Sequence, residues 1–95
     1  MKGSRLIPFN LRKLRVAQGL SQERVAIDAK LERRYVGGIE RGEENPTVET
    51  LDKLAGALGV HVSEFFDEPP QGSRFPAGLP PGRRSNASSG KKRPL

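Results

Sequence analysis

Between Leu20 and Pro46 the chain runs LSQERVAIDAKLERRYVGGIERGEENP, and this stretch constrains the fold more than any other. Ser21 precedes Gln22-Glu23-Arg24, where its hydroxyl can accept a backbone N–H and open a helix. Val25, Ala26 and Ala29 follow at helical spacing, Val36 and Ile39 start a second stripe, and Gly42 ends it. Helices this short are marginal in isolation, so the pair must be held by apolar faces contributed from elsewhere in the chain.

Those faces are present on both sides. Leu11, Leu14 and Leu20 fit a first helical stripe, with Asn10 as its N-cap and Gly19 as its stop. Pro46-Thr47 opens a fourth helix carrying Leu51, Leu54, Ala55 and Leu58, with Thr47 as N-cap and Glu49 near the positive helix end. Gly59 closes that helix, and Ser63 begins a short fifth one bearing Phe65 and Phe66. No β alternation of useful length interrupts this pattern. The expectation is an all-α domain of five short helices over residues 9–66, preceded by an arm at 1–8.

From residue 67 the composition changes. PPQGSRFPAGLPPGRRSNASSGKKRPL, residues 69–95, holds six prolines and little to bury. Such a segment cannot offset its ordering entropy, so residues 67–95 are expected to be a disordered, basic Pro/Gly/Ser-rich tail. It either tethers the protein electrostatically to a polyanion or is an inert extension.

The formal net charge is +6, and its distribution says more than its total. Residues 1–41 hold ten Lys/Arg and four Asp/Glu, whereas residues 42–68 hold one base and seven acids. Residues 69–95 carry six bases and no acid. A domain polarised in this way can face a polyanion with one side only. The absence of cysteine removes disulfides and thiolate metal sites, and the one histidine, His61, has no nucleophile motif beside it and is expected at the surface. No catalytic residues, metal site or cofactor are expected. No apolar run is long enough for a membrane span, the basic start lacks a signal-peptide core, and a cytoplasmic location is expected.

The second helix of the central pair opens with Arg33-Arg34, and a major groove of double-stranded DNA admits a helix of that diameter. Residues 9–66 resemble the xenobiotic-response-element (XRE) family of bacterial and phage repressor-type helix-turn-helix domains. The resemblance rests on Leu14-Arg15, Gly19-Leu20-Ser21-Gln22-Glu23, Val25-Ala26, Tyr35-Val36, Ile39-Glu40-Arg41-Gly42, Asn45-Pro46 and Leu58-Gly59-Val60. The segment RRYVGGIERGEENPT is also similar to small controller proteins of restriction–modification systems. The implied architecture is a compact five-helix repressor-like domain whose third helix enters the major groove.

Site expectations follow. Arg33 and Arg34 lie where a recognition helix meets base edges, and a guanidinium can bond guanine bidentately. The plainer alternative is that both hold phosphates or form a solvated surface. Glu32, Gly37 and Gly38 join the base-facing set: Glu32 could accept from cytosine N4, and the glycines either permit close approach or leave specificity to DNA shape. The resemblance implies a phosphate contact at Gln22, with Ser21 beside it. Arg41 and Asn45 would touch phosphates across the groove, and Arg12 and Lys13 could do so from the first helix. It also implies a partly buried structural pair between Arg15 and Glu40. Lys30 stands where the family's turn has glycine, so a left-handed backbone there would cost ~1 kcal/mol.

The leading expectation is a dimeric, sequence-specific transcriptional regulator on a near-palindromic operator, with Val62, Phe65 and Phe66 at the homodimer interface. Two other classes compete: an antitoxin-type module that binds a small protein partner and its own promoter, and a non-specific nucleoid binder acting through the tail.

Overall fold

The computed structural model describes residues 1–77. It contains α1 (Gly3–Ala17), α2 (Gln22–Ala29), α3 (Arg33–Glu40), α4 (Val48–Leu58) and a 3-10 helix (Val62–Phe66), with no strand among the described residues. The expected fifth helix is thus a 3-10 turn.

Helix starts follow local chemistry. Ser21 Oγ accepts from Arg24 N–H at 2.9 Å, and Thr47 Oγ1 accepts from Thr50 N–H at 3.1 Å. The 3-10 helix opens one residue before Ser63, because His61 Nδ1 accepts the Ser63 N–H at 3.2 Å. His61 is exposed, as expected. All four α-helices end in the same way, with the last carbonyls satisfied by a chain reversal. Gly19, Gly42 and Gly59 take positive φ at three of these ends, and Lys30 takes φ 60°, ψ 45° at the fourth.

The first helix differs from its expected boundaries. It starts at Gly3, runs through Pro8, and encloses Asn10, so residues 3–8 are helix rather than arm. Asn10 is not an N-cap. Its side chain is 1% exposed, and Nδ2 donates to the carbonyls of Phe65 at 3.0 Å and Asp67 at 2.9 Å. The amide that looked like a local cap instead ties α1 to the C-terminal end of the 3-10 helix.

Leu11, Leu20, Val25, Ala26, Val36, Ile39, Leu51, Leu54, Leu58 and Phe65 form one buried cluster at the centre of these elements. Here α1 packs on α3 and the 3-10 helix, while α2 packs on α3 and α4. Val36 and Ile39 are fully buried, so α3 is anchored along one side. Truncating Ile39 to alanine would cost about 2–5 kcal/mol by transfer and cavity terms together.

The expected tail begins at residue 67, and its described part, residues 67–77, carries no helix or strand but touches α1 near its end. Phe75 meets Phe9 edge to face, with centroids 5.7 Å apart and planes at 88°. The guanidinium carbons of Arg5 and Arg12 lie 5.0 and 5.4 Å from the Phe75 ring centroid, and Arg12 Nη1 donates to the Pro76 carbonyl at 3.2 Å. Arg5, Phe9 and Arg12 recur at helical spacing, so α1 offers one face to this segment. The rest of the tail expectation falls on residues 78–95, outside the described residues.

Candidate nucleic-acid interface

An α-helix turns ~100° per residue, which divides α3 cleanly. Val36, Ile39 and Glu40 point into the domain, with Tyr35 half-buried beside them. Arg33, Arg34, Gly37, Gly38 and, just past the helix, Arg41 occupy the opposite arc. Arg33 and Arg34 are exposed in the first turn and join no ion pair among the described residues. Glu32, the residue before them, is exposed at the N-cap position and makes no side-chain cap bond.

Behind this arc sits a buried ionic knot. Glu40 is 1% exposed and Arg15 4%. Arg15 binds both Glu40 oxygens, through Nε to Oε2 and through Nη2 to Oε1 at 3.0 Å, and its Nη1 donates to the Leu20 carbonyl at 2.7 Å. Gln22 Nε2 and Arg12 Nε also donate to Glu40 Oε1, at 3.1 and 3.2 Å. Burial pushes the Glu40 carboxyl upward, but the hydrogen bonds and charge of Arg15, with help from Gln22 and Arg12, outweigh it and hold the group below its ordinary value. The knot joins α1, α2 and α3, so it sets the angle at which α3 leaves the core.

Other expected contacts stand as follows. Ser21 is half-buried and its hydroxyl caps α2, with Gln22 next to it at the helix start. Lys13 and Asn45 are exposed. Arg12, a phosphate candidate in the sequence, is engaged by Glu40, Pro76 and the Phe75 ring. Arg41 is exposed and pairs with Glu43 at 3.1 Å; that hydrogen bond, then the charges of Glu43 and Glu44, raise its pKa.

The glycines depart from expectation. Gly37 and Gly38, expected among the base-facing residues, are both buried. A Cβ at Gly37 would lie 3.1 Å from Arg41 Nη1 and 3.2 Å from Gln22 Oε1. A Cβ at Gly38 would lie only 2.7 Å from Glu44 Cγ. Side chains from α2 and from the loop after α3 therefore fill the space the two glycines leave. The sequence signals Glu44 only through a glycine pair inside a helix followed six residues later by an acid.

Of the residues expected to pair two copies, Phe65 is fully buried in its own core and is corrected to a core residue. Val62 is half-buried against that core, and Phe66 is 48% exposed. Among the described residues no group of acids and histidine could hold a metal ion, and no helix is long and apolar enough to cross a membrane.

A family model described as helix-turn-helix matches residues 11–65. An uncharacterized HTH-type transcriptional regulator of Sinorhizobium fredii is 42% identical over 73 residues, covering 74% of this chain and 95% of its own. Among solved structures, the restriction-modification controller protein C.AhdI from Aeromonas hydrophila is 48% identical with a TM-score of 0.61, over 64% of this chain and 96% of that one. The hypothetical transcription factor NHTF from Neisseria is 36% identical with a TM-score of 0.68, over 74% and 79% of the two chains.

Proposed function

We propose, from the premise that this chain belongs to the XRE-type helix-turn-helix family, that it is a sequence-specific DNA-binding transcriptional regulator. It works as a homodimer on a near-palindromic operator, with α3 in the major groove and half-sites about 34 Å apart. The observation that carries this reading is the pair of exposed guanidiniums, Arg33 and Arg34, with no ion pair among the described residues, at the start of a helix fixed from behind by Glu40. Rigid backing matters because a guanidinium reads guanine O6 and N7 only in a narrow geometry, worth about 1–3 kcal/mol of discrimination.

Phosphate contacts come from Ser21 and from Gln22, which gives one amide N–H to Glu40 and keeps the second, at the start of α2, where free N–H groups and the helix dipole favour an anion, and from Arg41, Asn45 and Lys13. Arg12 serves by positioning, since its hydrogen bonds go to Glu40 and Pro76. Phe66 is the apolar contact between copies, being large and half exposed while its neighbour Phe65 is buried.

Fluorescence anisotropy at ~150 mM salt, where non-specific binding is weak, tests the DNA reading. The DNA upstream of the protein's own gene is compared with a shuffled duplex of equal length. Wild type should prefer the native duplex by at least ~100-fold, and Arg33→Ala/Arg34→Ala should lose the preference. Equal binding to both duplexes by wild type and variant would remove the assignment for that promoter. Sedimentation equilibrium tests the dimer: Phe66→Ala should raise the dimer dissociation constant by about tenfold or more, a loss typical of a central aromatic contact. An unchanged constant would move the interface elsewhere.

A further inference from the structure

The reading side of α3 contains a side chain that does not belong to α3. On the outward arc, Arg34 and Gly38 lie one turn apart on the same stripe. Gly38 has no side chain, and the loop that follows the helix fills its place. Gly42 reverses the chain at φ 77°, Glu43 N–H donates to the Gly38 carbonyl at 2.8 Å, and Glu44 is thereby laid across Gly38. The Glu44 carboxylate lies next to the position a Cβ at Gly38 would take, with Oε2 3.5 Å from it. The fit is mutual, since any larger residue at 38 would collide with Glu44 Cγ.

The neighbouring acid is already committed. Glu43 pairs with Arg41, whereas Glu44 joins no ion pair among the described residues and remains exposed. An exposed carboxylate on a DNA-facing arc opposes phosphates even with the charge of Arg41 nearby, so it weakens binding to DNA in general. Only base edges that present an amino donor can compensate. In the major groove these are cytosine N4 and adenine N6, and adenine's adjacent N7 acceptor disfavours the second carboxylate oxygen. Guanine and thymine offer acceptors at that edge and are repelled.

We propose that Glu44 is a specificity-determining residue that replaces the missing side chain of Gly38 and selects a cytosine next to the base addressed by Arg34. This rests on the DNA-reading assignment above and adds to it a residue outside the recognition helix. Affinity falls on every sequence except those with the amino group in place, so Glu44 acts mainly by rejection.

The test is selection of binding sites from a randomised duplex pool with the full chain, followed by anisotropy on the selected duplex and its single-base-pair variants. Wild type should fix a C·G pair beside a guanine whose selection depends on Arg34. Glu44→Ala should lose preference at that pair by about tenfold or more, keep its other preferences, and bind random duplex more tightly. Glu44→Gln should shift the position toward A·T, because an amide pairs with adenine N6 and N7. Gly38→Ala keeps the carboxylate but evicts it from its place, and should reproduce the loss seen in Glu44→Ala. Thermal melts confirm folding, and the exposed Glu44 variants provide the readout if Gly38→Ala does not fold. Should Glu44→Ala retain every base preference of wild type, the proposal is overturned while the regulator reading stands. Should wild type itself select no sequence, the regulator reading falls and takes this role with it.

Discussion

Four donor nitrogens from Arg15, Arg12 and Gln22 converge on the two oxygens of Glu40, in a place almost closed to water. A buried pair of this kind is costly to break from one side, because the surviving charge keeps its desolvation penalty and loses its compensation. Arg15→Ala should therefore lower stability by about 3–5 kcal/mol in urea unfolding, although Arg15 touches no base in the proposed complex. Acid should act through the same group. The Glu40 pKa is depressed in the folded state, so its contribution is complete above the unfolded value of 4.5 and is lost as pH falls through the folded pKa. Wild type should lose stability progressively below about pH 4.5, and Glu40→Gln, less stable at neutral pH, should show a shallower acid limb. At this scale the sequence was readable in part. Arg15 and Glu40 are 25 residues apart and were paired only through a family resemblance. Arg12 and Gln22 in the same knot, and Glu44 over Gly38, depend on side-chain directions that no spacing rule encodes.

At the scale of elements, the turn between α2 and α3 carries a cost that the sequence already exposed. Lys30 holds φ 60°, ψ 45°, and the turn closes when Leu31 N–H donates to the Ala26 carbonyl at 2.8 Å. A side chain in the left-handed region is strained by ~1 kcal/mol relative to glycine, and Lys30 is exposed and joins no ion pair among the described residues. Lys30→Gly should therefore stabilise the domain by roughly 0.5–1 kcal/mol, visible as a higher melting temperature. A lower melting temperature would show that the extra freedom of glycine in the unfolded chain outweighs the relief. The other helix ends were legible from Ser21, Thr47 and the glycines at 19, 42 and 59, because caps and reversals are made within a few residues. The start of α1 was not. Pro8 and Asn10 have the local look of a helix start, and Asn10 instead serves Phe65 and Asp67, more than 50 residues away.

For the molecule as a whole, the segment 67–77 meets α1 through Phe75 and Pro76. It lies over Arg5, Phe9 and Arg12, and through Arg12 it reaches the carboxylate that holds α3. An edge-to-face pair and two guanidinium–ring contacts are each worth about 0.5–1.5 kcal/mol, less where solvent competes. Phe75→Ala should therefore destabilise by about 1–2 kcal/mol in urea unfolding. No change would mean that the segment rests on α1 without contributing. Ending the chain after Ala77 removes Arg83, Arg84, Lys91, Lys92 and Arg93 but leaves the Phe75 contact in place. If those bases meet phosphates, the salt dependence of DNA binding should become shallower by about 0.9 per contact, while sequence preference stays with α3. Affinity and salt slope unchanged by that truncation would assign the tail no part in binding.

The chain alone determined that this would be a small helical domain, where its short central helices lie, and that Arg33 and Arg34 stand at the start of the exposed one. Apolar periodicity, caps and stops are short-range properties, and fifteen-residue windows contain them. Family resemblance carried the reading from helices to DNA. Tertiary structure decided what fills the space between elements: Glu40 under four donors, Phe65 in the core, Phe75 on α1, and Glu44 in place of a side chain at Gly38. Each of these joins residues separated by loops or by most of the chain, and their meeting depends on how the helices cross once the core has closed.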